Sequence, residues 1–289
     1  QMSVTLMADP GTMLPQNTWY KGSTDKASIT KVKFVKNLPE GRAYSEQWDA
    51  SELQDGRITV AVDGTTLYIS SNGADVIYAN PDSAEMFGDY DVKDIWSSLE
   101  TIENASMLDT SKVTSMKDMF TGCLALKSVD VSQWDTSNVT NMSETFMACF
   151  ALESVDVSGW DTGNVKDMSY IFSNSNYLRP IGIENWDTHN VTNMGCMFMR
   201  GLSDDVRDDP WTLDLSGWDT SNVTNMESIF SKADIAELNI SGWDTSNVTT
   251  ARSAFESGMT SGLRKITVGD KVGTILLSEL PSFNEAELE

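Results

Sequence analysis

The most informative pattern in this chain is a hydrophobic unit that recurs at a nearly constant spacing. A Trp-Asp-Thr triplet opens the unit five times, and Leu108-Asp109-Thr110 opens an earlier copy. The spacing between successive copies is almost even, except for one longer step from the third tryptophan to the fourth. Regular recurrence of this kind is typical of proteins whose units stack on one another. The five tryptophans are Trp134, Trp160, Trp186, Trp218 and Trp243.

Within each unit, the first apolar positions predict a short helix. Val139, Met142, Phe146 and Cys149 follow one another at the spacing of one helical face. Because a single repeat cannot bury its apolar face alone, we predict that equivalent residues stack as core columns. The columns are Val113, Val139, Val165, Val191, Val223 and Val248, then Met116, Met142, Met168, Met194 and Met226, then Phe120, Phe146, Phe172, Phe198, Phe230 and Phe255.

The residues that follow predict a short strand. Leu152, Val155, Val157 and Trp160 match the spacing of a leucine-rich repeat, and the β-branched valines favour extended backbone. We therefore predict an α/β repeat solenoid. It would be a leucine-rich-repeat-like, right-handed coil with short parallel strands on one face and short helices on the other.

The ends of the chain depart from the repeat. Residues 1–82 predict a β-rich N-terminal cap region, with a strand at 29–35 and a hairpin that turns at Asp63-Gly64. Residues 83–268 predict the solenoid, with an irregular first repeat and then about six repeats, and residues 269–289 predict a C-terminal cap and tail. Because the chain begins at Gln1 without a start methionine, we expect a segment of a longer protein.

The polar residues after each tryptophan predict a turn. Asp and Ser or Thr side chains satisfy backbone N–H groups at turns and helix starts. The stacked aspartates are expected to form a ladder with this capping role. Calcium binding is the disfavoured alternative, because the D-x-D-x-D-G spacing of a calcium loop is missing, and no cofactor is expected. The ladder comprises Asp109, Asp135, Asp161, Asp187, Asp219 and Asp244.

The charge of the chain narrows the range of partners. With 43 acidic and 20 basic residues, the formal net charge is −23. This charge argues against nucleic acid and against anionic membrane surfaces, whereas it would keep an extracellular protein dispersed. Because the apolar runs are too short to span a bilayer, we expect no direct membrane insertion of this segment. We also expect a monomer.

The cysteine and histidine content argues against catalysis. Cys123 and Cys149 occupy the same position in neighbouring repeats, which predicts parallel, buried free thiols, with a disulfide as the alternative. His189 is the sole histidine and lies in a predicted turn. Without a second histidine or a phosphate-loop motif, neither zinc nor triad chemistry has a plausible set of residues. We therefore predict that the chain is not an enzyme.

Candidate binding positions lie on the outer side of the strands and in the insertion that lengthens one step of the repeat. The strand column alternates with core positions and should face solvent, and insertions in stacked repeats fall in loops. Exposed strand positions must be polar in any case, so a structural explanation and a binding role both stay open. The strand column is Asp130, Asp156, Asp214 and Asn239, and the insertion, within 199–211, offers Asp204, Asp205, Arg207 and Trp211.

The unit from Trp134 to Phe146 resembles that of BspA-like leucine-rich-repeat surface proteins of Gram-positive bacteria. The resemblance extends over about residues 84–268. It implies an extracellular, secreted or cell-wall-attached adhesin ectodomain that binds host mucin, extracellular-matrix glycoproteins or other cell-surface glycoproteins. The alternative is a structural stalk or spacer that presents another module. The resemblance supplies no ligand-contacting motif.

Overall fold

A computed structural model describes residues 8–91, 93–201, 207–256 and 262–281. Within them, strands and turns dominate, and α1 is the single α-helix. The elements are β1 (Lys31–Val35), β2 (Glu46–Asp49), β3 (Thr59–Asp63), β4 (Thr66–Ser70), β5 (Ile77–Tyr78), β6 (Thr101–Glu103), β7 (Leu108–Asp109), β8 (Ser128–Val129), β9 (Ser154–Asp156), β10 (Arg179–Ile181), β11 (Thr212–Asp214), β12 (Glu237–Ile240), β13 (Lys265–Val268) and α1 (Thr274–Leu277), with 3-10 turns at Lys26–Ser28, Ala105–Met107 and Ile183–Asn185.

The N-terminal region forms a sheet that continues into the first repeats. Strands β3 and β4 make the predicted antiparallel hairpin, and Gly64 takes a φ of +59° in its turn. Strand β1 pairs in parallel with both β4 and β6, and β6 pairs in parallel with β8. The order of the six strands is β2-β3-β4-β1-β6-β8. The β-rich N-terminal region therefore supplies the surface on which the repeats begin to stack.

The repeats stack in parallel and in register. Strand β9 pairs with β10, and β11 pairs with β12, which pairs with β13. A second line of parallel bridges joins residues about one period apart, on another side of each repeat. The bridges link Asp82, Ser115, Asn141, Asp167, Asn193, Asn225 and Thr250 in that order.

The predicted helices are absent from the described repeats, so the α/β class and the helical face of the predicted solenoid are wrong. Where the sequence predicts a helix, at 139–149, the chain forms consecutive turns. The N–H groups of Met142, Glu144, Phe146 and Ala148 each donate to a carbonyl oxygen of the next repeat at 2.9 Å, instead of to a carbonyl within the same turn of helix. Because the hydrogen bonds run between repeats, the described chain is a mostly β structure with several small sheets.

A column of left-handed residues explains why no helix forms in these turns. Each of them has a residue with positive φ at the same position, for example Glu144 at +62°, and several have a second one, such as Ala148 at +56°. A right-handed helix requires negative φ at every residue, and positive φ costs about 1–2 kcal/mol for a residue with a side chain. The hydrogen bonds to neighbouring repeats offset that cost. The column is Asp118, Glu144, Tyr170, Cys196, Ser228 and Ser253.

The predicted core columns are confirmed. The valine, methionine and phenylalanine columns are buried, and their aromatic rings stack between repeats. The rings of Phe120 and Phe146 lie 5.4 Å apart and 7° from parallel, and those of Trp160 and Trp186 lie 6.3 Å apart and 2° from parallel. At the C-terminal end, Val272 and Leu276 are buried against this core, and both lie within the predicted cap.

Candidate functional site

The Trp-Asp-Thr-Ser-Asn motif ties each repeat to both of its neighbours. The Trp160 indole N–H donates to a carbonyl oxygen of the preceding repeat at 3.0 Å. Thr162 donates its hydroxyl to a carbonyl of the following repeat at 2.8 Å, and the Asn164 amide donates to the preceding repeat at 2.7 Å. Equivalent hydrogen bonds recur along the chain, so these side chains hold the stacked repeats together. The side chains of the motif are therefore engaged in contacts between repeats.

Three Asx turns lie along the chain from Asp156 to Ser169. Asp156, Asp161 and Asp167 each accept a hydrogen bond through Oδ1 from the backbone N–H two residues later, at 2.9–3.0 Å. The predicted turn role of the aspartate ladder is confirmed, although no helix follows for it to cap. Asn141 and Asn193 make the same turn with an amide oxygen, so the geometry requires an oxygen acceptor and not a charge.

The predicted strand column is exposed but interrupted. Asp130, Asp156 and Asp214 face solvent, and Asp214 lies beside Asn239 in register. Asp156 pairs instead with Ile181, whose side chain is 51% exposed and separates the column into two parts. The repeat pattern predicts a polar residue at this position, so the apolar interruption was not predicted.

Hydrogen bonds keep the carboxylates of this column ionised. Ser132 donates its hydroxyl and N–H to Asp130, and Ser158 does the same for Asp156. These bonds lower the pKa of both carboxyl groups, and Ser216 lowers that of Asp214 in the same way. The outer side of the strands is therefore a surface of fixed negative charge.

The insertion is held at its C-terminal end by arginine contacts. Asp204 and Asp205 lie outside the described residues. Arg207 makes two hydrogen bonds to the Asp209 carboxylate, at 2.8 and 3.2 Å, and donates to the Tyr177 carbonyl at 3.3 Å. These contacts fasten the returning chain to the preceding repeat.

Trp211 is half-buried and packs against the protein. Its ring lies edge-on to Phe198 at 5.9 Å, and the Arg179 guanidinium lies over it at 5.0 Å from the ring centre. Strands β10 and β11 belong to separate sheets, so the insertion coincides with a break in strand pairing. The geometry gives Trp211 a packing role at that break.

An open groove that was not predicted from the sequence includes Tyr177, whose carbonyl accepts a hydrogen bond from Arg207 at the end of the insertion. Its volume is about 570 Å³. Its aromatic residues, Phe150 and Tyr177, stand where the first repeat has Leu124 and Ala125. These departures from the repeat at non-core positions are the signal that could have revealed it. The lining residues are Lys127, Phe150, Ala151, Glu153, Ser154 and Tyr177.

A second unusual group of side chains joins two repeats. Glu144 is half-buried next to Asp118, whose carboxylate is buried and accepts a hydrogen bond from Thr121 at 2.8 Å. Burial and the negative charge of Asp118 raise the pKa of Glu144 to about 7, and Lys117 only partly opposes this effect. Glu144 therefore titrates near neutral pH.

We expect the free energy of unfolding to fall as the pH rises from about 4.5 to about 7, because the Glu144 carboxyl loses its proton in that range. The folded pKa of about 7 lies above the ordinary 4.5, so the folded state retains a proton that the unfolded state releases. Stability from this group is complete below about pH 4.5 and lost above about pH 7. Solvent screening of the half-buried side chain limits the loss to about 1–2 kcal/mol.

Urea unfolding of the wild type and Glu144→Gln at pH 5 and pH 8 checks this expectation. The neutral amide should remove most of the difference between the two pH values and stabilise the protein at pH 8. Asp118→Asn, which removes the neighbouring charge, should reduce the same difference. Equal pH dependence in all three proteins would contradict the assignment.

The cysteines are buried free thiols, as predicted. Cys123 and Cys149 are inaccessible to solvent, and their Sγ–H groups donate to the carbonyls of Phe87 and Phe120 at 3.1 and 3.3 Å. Burial raises the pKa of both thiols. They are therefore packing groups and not nucleophiles.

The described residues include neither a candidate metal site nor a membrane-spanning helix. Among them, no group of three or more His, Cys, Asp or Glu side chains is arranged to hold a metal ion. In the same part of the chain, no helix has the length and apolar character needed to cross a membrane.

Stacked parallel repeats, buried ring columns and an exposed acidic strand face define a β-rich repeat protein. The family described as "Mycoplasma protein of unknown function, DUF285" matches residues 84–208 and 155–264, and the chain belongs to this family. The family is associated with BspA-like surface repeat proteins, so the predicted resemblance is confirmed at that coarser level. No curated protein matches the chain, and no solved structure does.

Proposed function

We propose that this chain is the ectodomain of an extracellular adhesin, secreted or attached to the cell surface, and that it binds host mucin, matrix or cell-surface glycoproteins. Close kinship with the BspA-like proteins of Gram-positive bacteria is part of this proposal. The ligand would meet the outer side of the strands, near Asp130 and Asp156, and the adjoining end of the insertion.

The observation that carries the proposal is that some polar side chains bond between repeats while others face solvent. The Trp, Thr and Asn side chains of the motif bond to neighbouring repeats, whereas the side chains at Ser128, Ser154 and Thr212 point to solvent from the strands. An extended polar surface of this kind suits a large, hydroxyl-rich partner. The family association with surface proteins supports the same function.

A stalk or spacer is the second candidate function. The regular bonding of each repeat to both neighbours would suit a rigid element that presents another module. A spacer would have no ligand of its own. Retention of the purified segment on immobilised mucin therefore separates the two candidates.

We expect the segment to bind mucin, and Asp130→Asn/Asp156→Asn/Asp214→Asn to bind sialylated mucin more tightly. Asparagine keeps the turn, as Asn239 does with the N–H of Ser241 at 3.0 Å, while three negative charges are removed. Reduced repulsion should raise the affinity by about two- to fivefold at low salt, with a smaller gain at physiological salt. Biolayer interferometry on immobilised mucin measures the effect.

The matched control is Asp135→Asn/Asp161→Asn/Asp219→Asn, which removes the same charge from a different turn of the same repeats. An equal gain in both triple variants would show that net charge alone acts. No retention of the wild type on mucin, fibronectin or epithelial cells would exclude the adhesin in this form and favour the spacer.

A further inference from the structure

The groove at the second and third repeats is a local departure from an otherwise regular surface. Phe150 and Tyr177 are half-buried aromatic residues in consecutive repeats, and both lie outside the stacked ring columns of the core. The fold does not require aromatic rings here, because other repeats place Leu124 and Asn176 at the position of Phe150, and Ala125 and Ala151 at that of Tyr177. The pair of rings is therefore a feature of this face and not of the stack.

Hydrogen-bond donors and acceptors lie in the groove beside these rings. Glu153 and Ser154 are exposed at the start of β9, and Lys127 lies across the groove. Small-ligand sites commonly combine aromatic walls with a few polar groups, in volumes of about 300–1,000 Å³. The groove of about 570 Å³ lies within this range and is open enough for a ligand that enters from the surface.

Two cations near the groove are already paired. The Lys127 ammonium lies 2.8 Å from a carboxylate oxygen of Glu100, and Arg207 forms its two-pronged contact with Asp209. Glu153 adds a further negative charge to the groove. The whole chain has a net charge of −23, so it would repel an anionic ligand. The two cations would offset little of this repulsion, because each is already paired with a carboxylate.

We propose that this groove binds a neutral oligosaccharide of hexopyranose units. The apolar C–H face of a pyranose ring would pack on Phe150 and Tyr177, while its hydroxyl groups would hydrogen-bond to Glu153 and Ser154. This inference rests on the proposed function and deepens it, because it names the chemical class of ligand on which adhesion would depend. Sialylated and sulfated sugars would be disfavoured.

Saturation-transfer NMR with the whole segment tests the proposal. The probes are lactose, triacetylchitotriose and 3′-sialyllactose, the last of which adds one anionic sugar to lactose. At least one neutral probe should bind, and 3′-sialyllactose should bind more weakly than lactose. Tyr177→Ala should weaken binding of the neutral probe by at least about fivefold. Ser154→Trp, which fills the groove from an exposed position, should abolish it.

Tyr90→Ala is the matched control, because Tyr90 is an aromatic residue that is 70% exposed and lies outside the groove. It should leave the affinity unchanged, and circular dichroism should show that all variants are folded. The proposal is overturned if neither neutral probe binds, if binding survives in both Tyr177→Ala and Ser154→Trp, or if 3′-sialyllactose binds more tightly than lactose.

Mucin retention of the same variants separates this proposal from the adhesin function. If the wild type and Ser154→Trp bind mucin equally well and neither neutral probe binds, the groove proposal fails and the adhesin function stands. If a neutral probe binds in the groove while mucin, fibronectin and cells are not bound, the groove proposal stands and the adhesin function fails.

Discussion

Replacing Phe146 with alanine is expected to lower the free energy of unfolding by about 3–5 kcal/mol. The Phe146 ring is fully buried and stacks on Phe120 at 5.4 Å, on Phe172 at 6.1 Å and on Trp160 at 6.1 Å. Its removal leaves a cavity between two repeats and ends ring contacts that each add about 0.5–1.5 kcal/mol beyond simple burial. Urea unfolding, followed by tryptophan fluorescence, measures the loss.

Phe150→Ala is the matched control, since it removes the same side chain from the same repeat at a half-buried position in the groove. We expect it to cost about 1 kcal/mol or less. If the two substitutions destabilised the protein equally, the ring column would not be the main source of cohesion between repeats.

Deleting one whole repeat, 135–160, is expected to leave a folded protein, whereas deleting only its first half, 135–147, should abolish folding. Removal of the whole unit brings Asp161 directly behind Trp134, so every column and every inter-repeat hydrogen bond can form again with the next repeat. Removal of the half unit joins Trp134 to Ala148, so that the turns of one repeat lie next to the strands of its neighbour and the columns cannot align. Because each repeat contacts mainly its neighbours, loss of one unit subtracts one interface.

Far-UV circular dichroism and thermal unfolding of the two deletion proteins provide the measurement. The whole-repeat deletion should unfold cooperatively with a midpoint a few degrees lower, by roughly 2–8 °C. The half-repeat deletion should show no cooperative transition. A cooperative transition in the half-repeat deletion would mean that register between repeats does not control folding.

The sequence is sufficient to predict the stack, because its period places the same residue type at the same point of every repeat. Val139, Met142, Phe146 and Trp160 are predicted core residues on this ground, and all four are buried. The hairpin at Asp63-Gly64 follows from local turn chemistry in the same way. These features depend on contacts that repeat or on residues close together in the chain.

The helix prediction is wrong because apolar spacing does not identify the partner of a backbone N–H. Consecutive turns place Val139, Met142 and Phe146 on one side just as a helix would. The N–H group of Glu144 donates a hydrogen bond to the Ser169 carbonyl in the next repeat. Glu144 also has a positive φ, which glutamate rarely adopts. Neither fact can be read from one repeat alone.

The candidate site was predictable only in part. The exposure of Asp130, Asp156 and Asp214 follows from strand alternation and is confirmed, while their role in binding stays a prediction. The groove forms where Phe150 and Tyr177 depart from the repeat pattern. Such positions cannot be predicted from the residues that the repeats have in common. Ile181 was missed for the same reason.

The bonds that Thr162 and Asn164 make to opposite neighbours also determine how this chain would respond to tension. A force applied at its two ends acts along the direction in which the repeats stack, so the interfaces bear it in series. The weakest interface would open first, and each released repeat would lengthen the tether by up to ~90 Å, the reach of its fully extended backbone. At a surface under fluid flow, such stepwise extension would limit the force that reaches an attached partner.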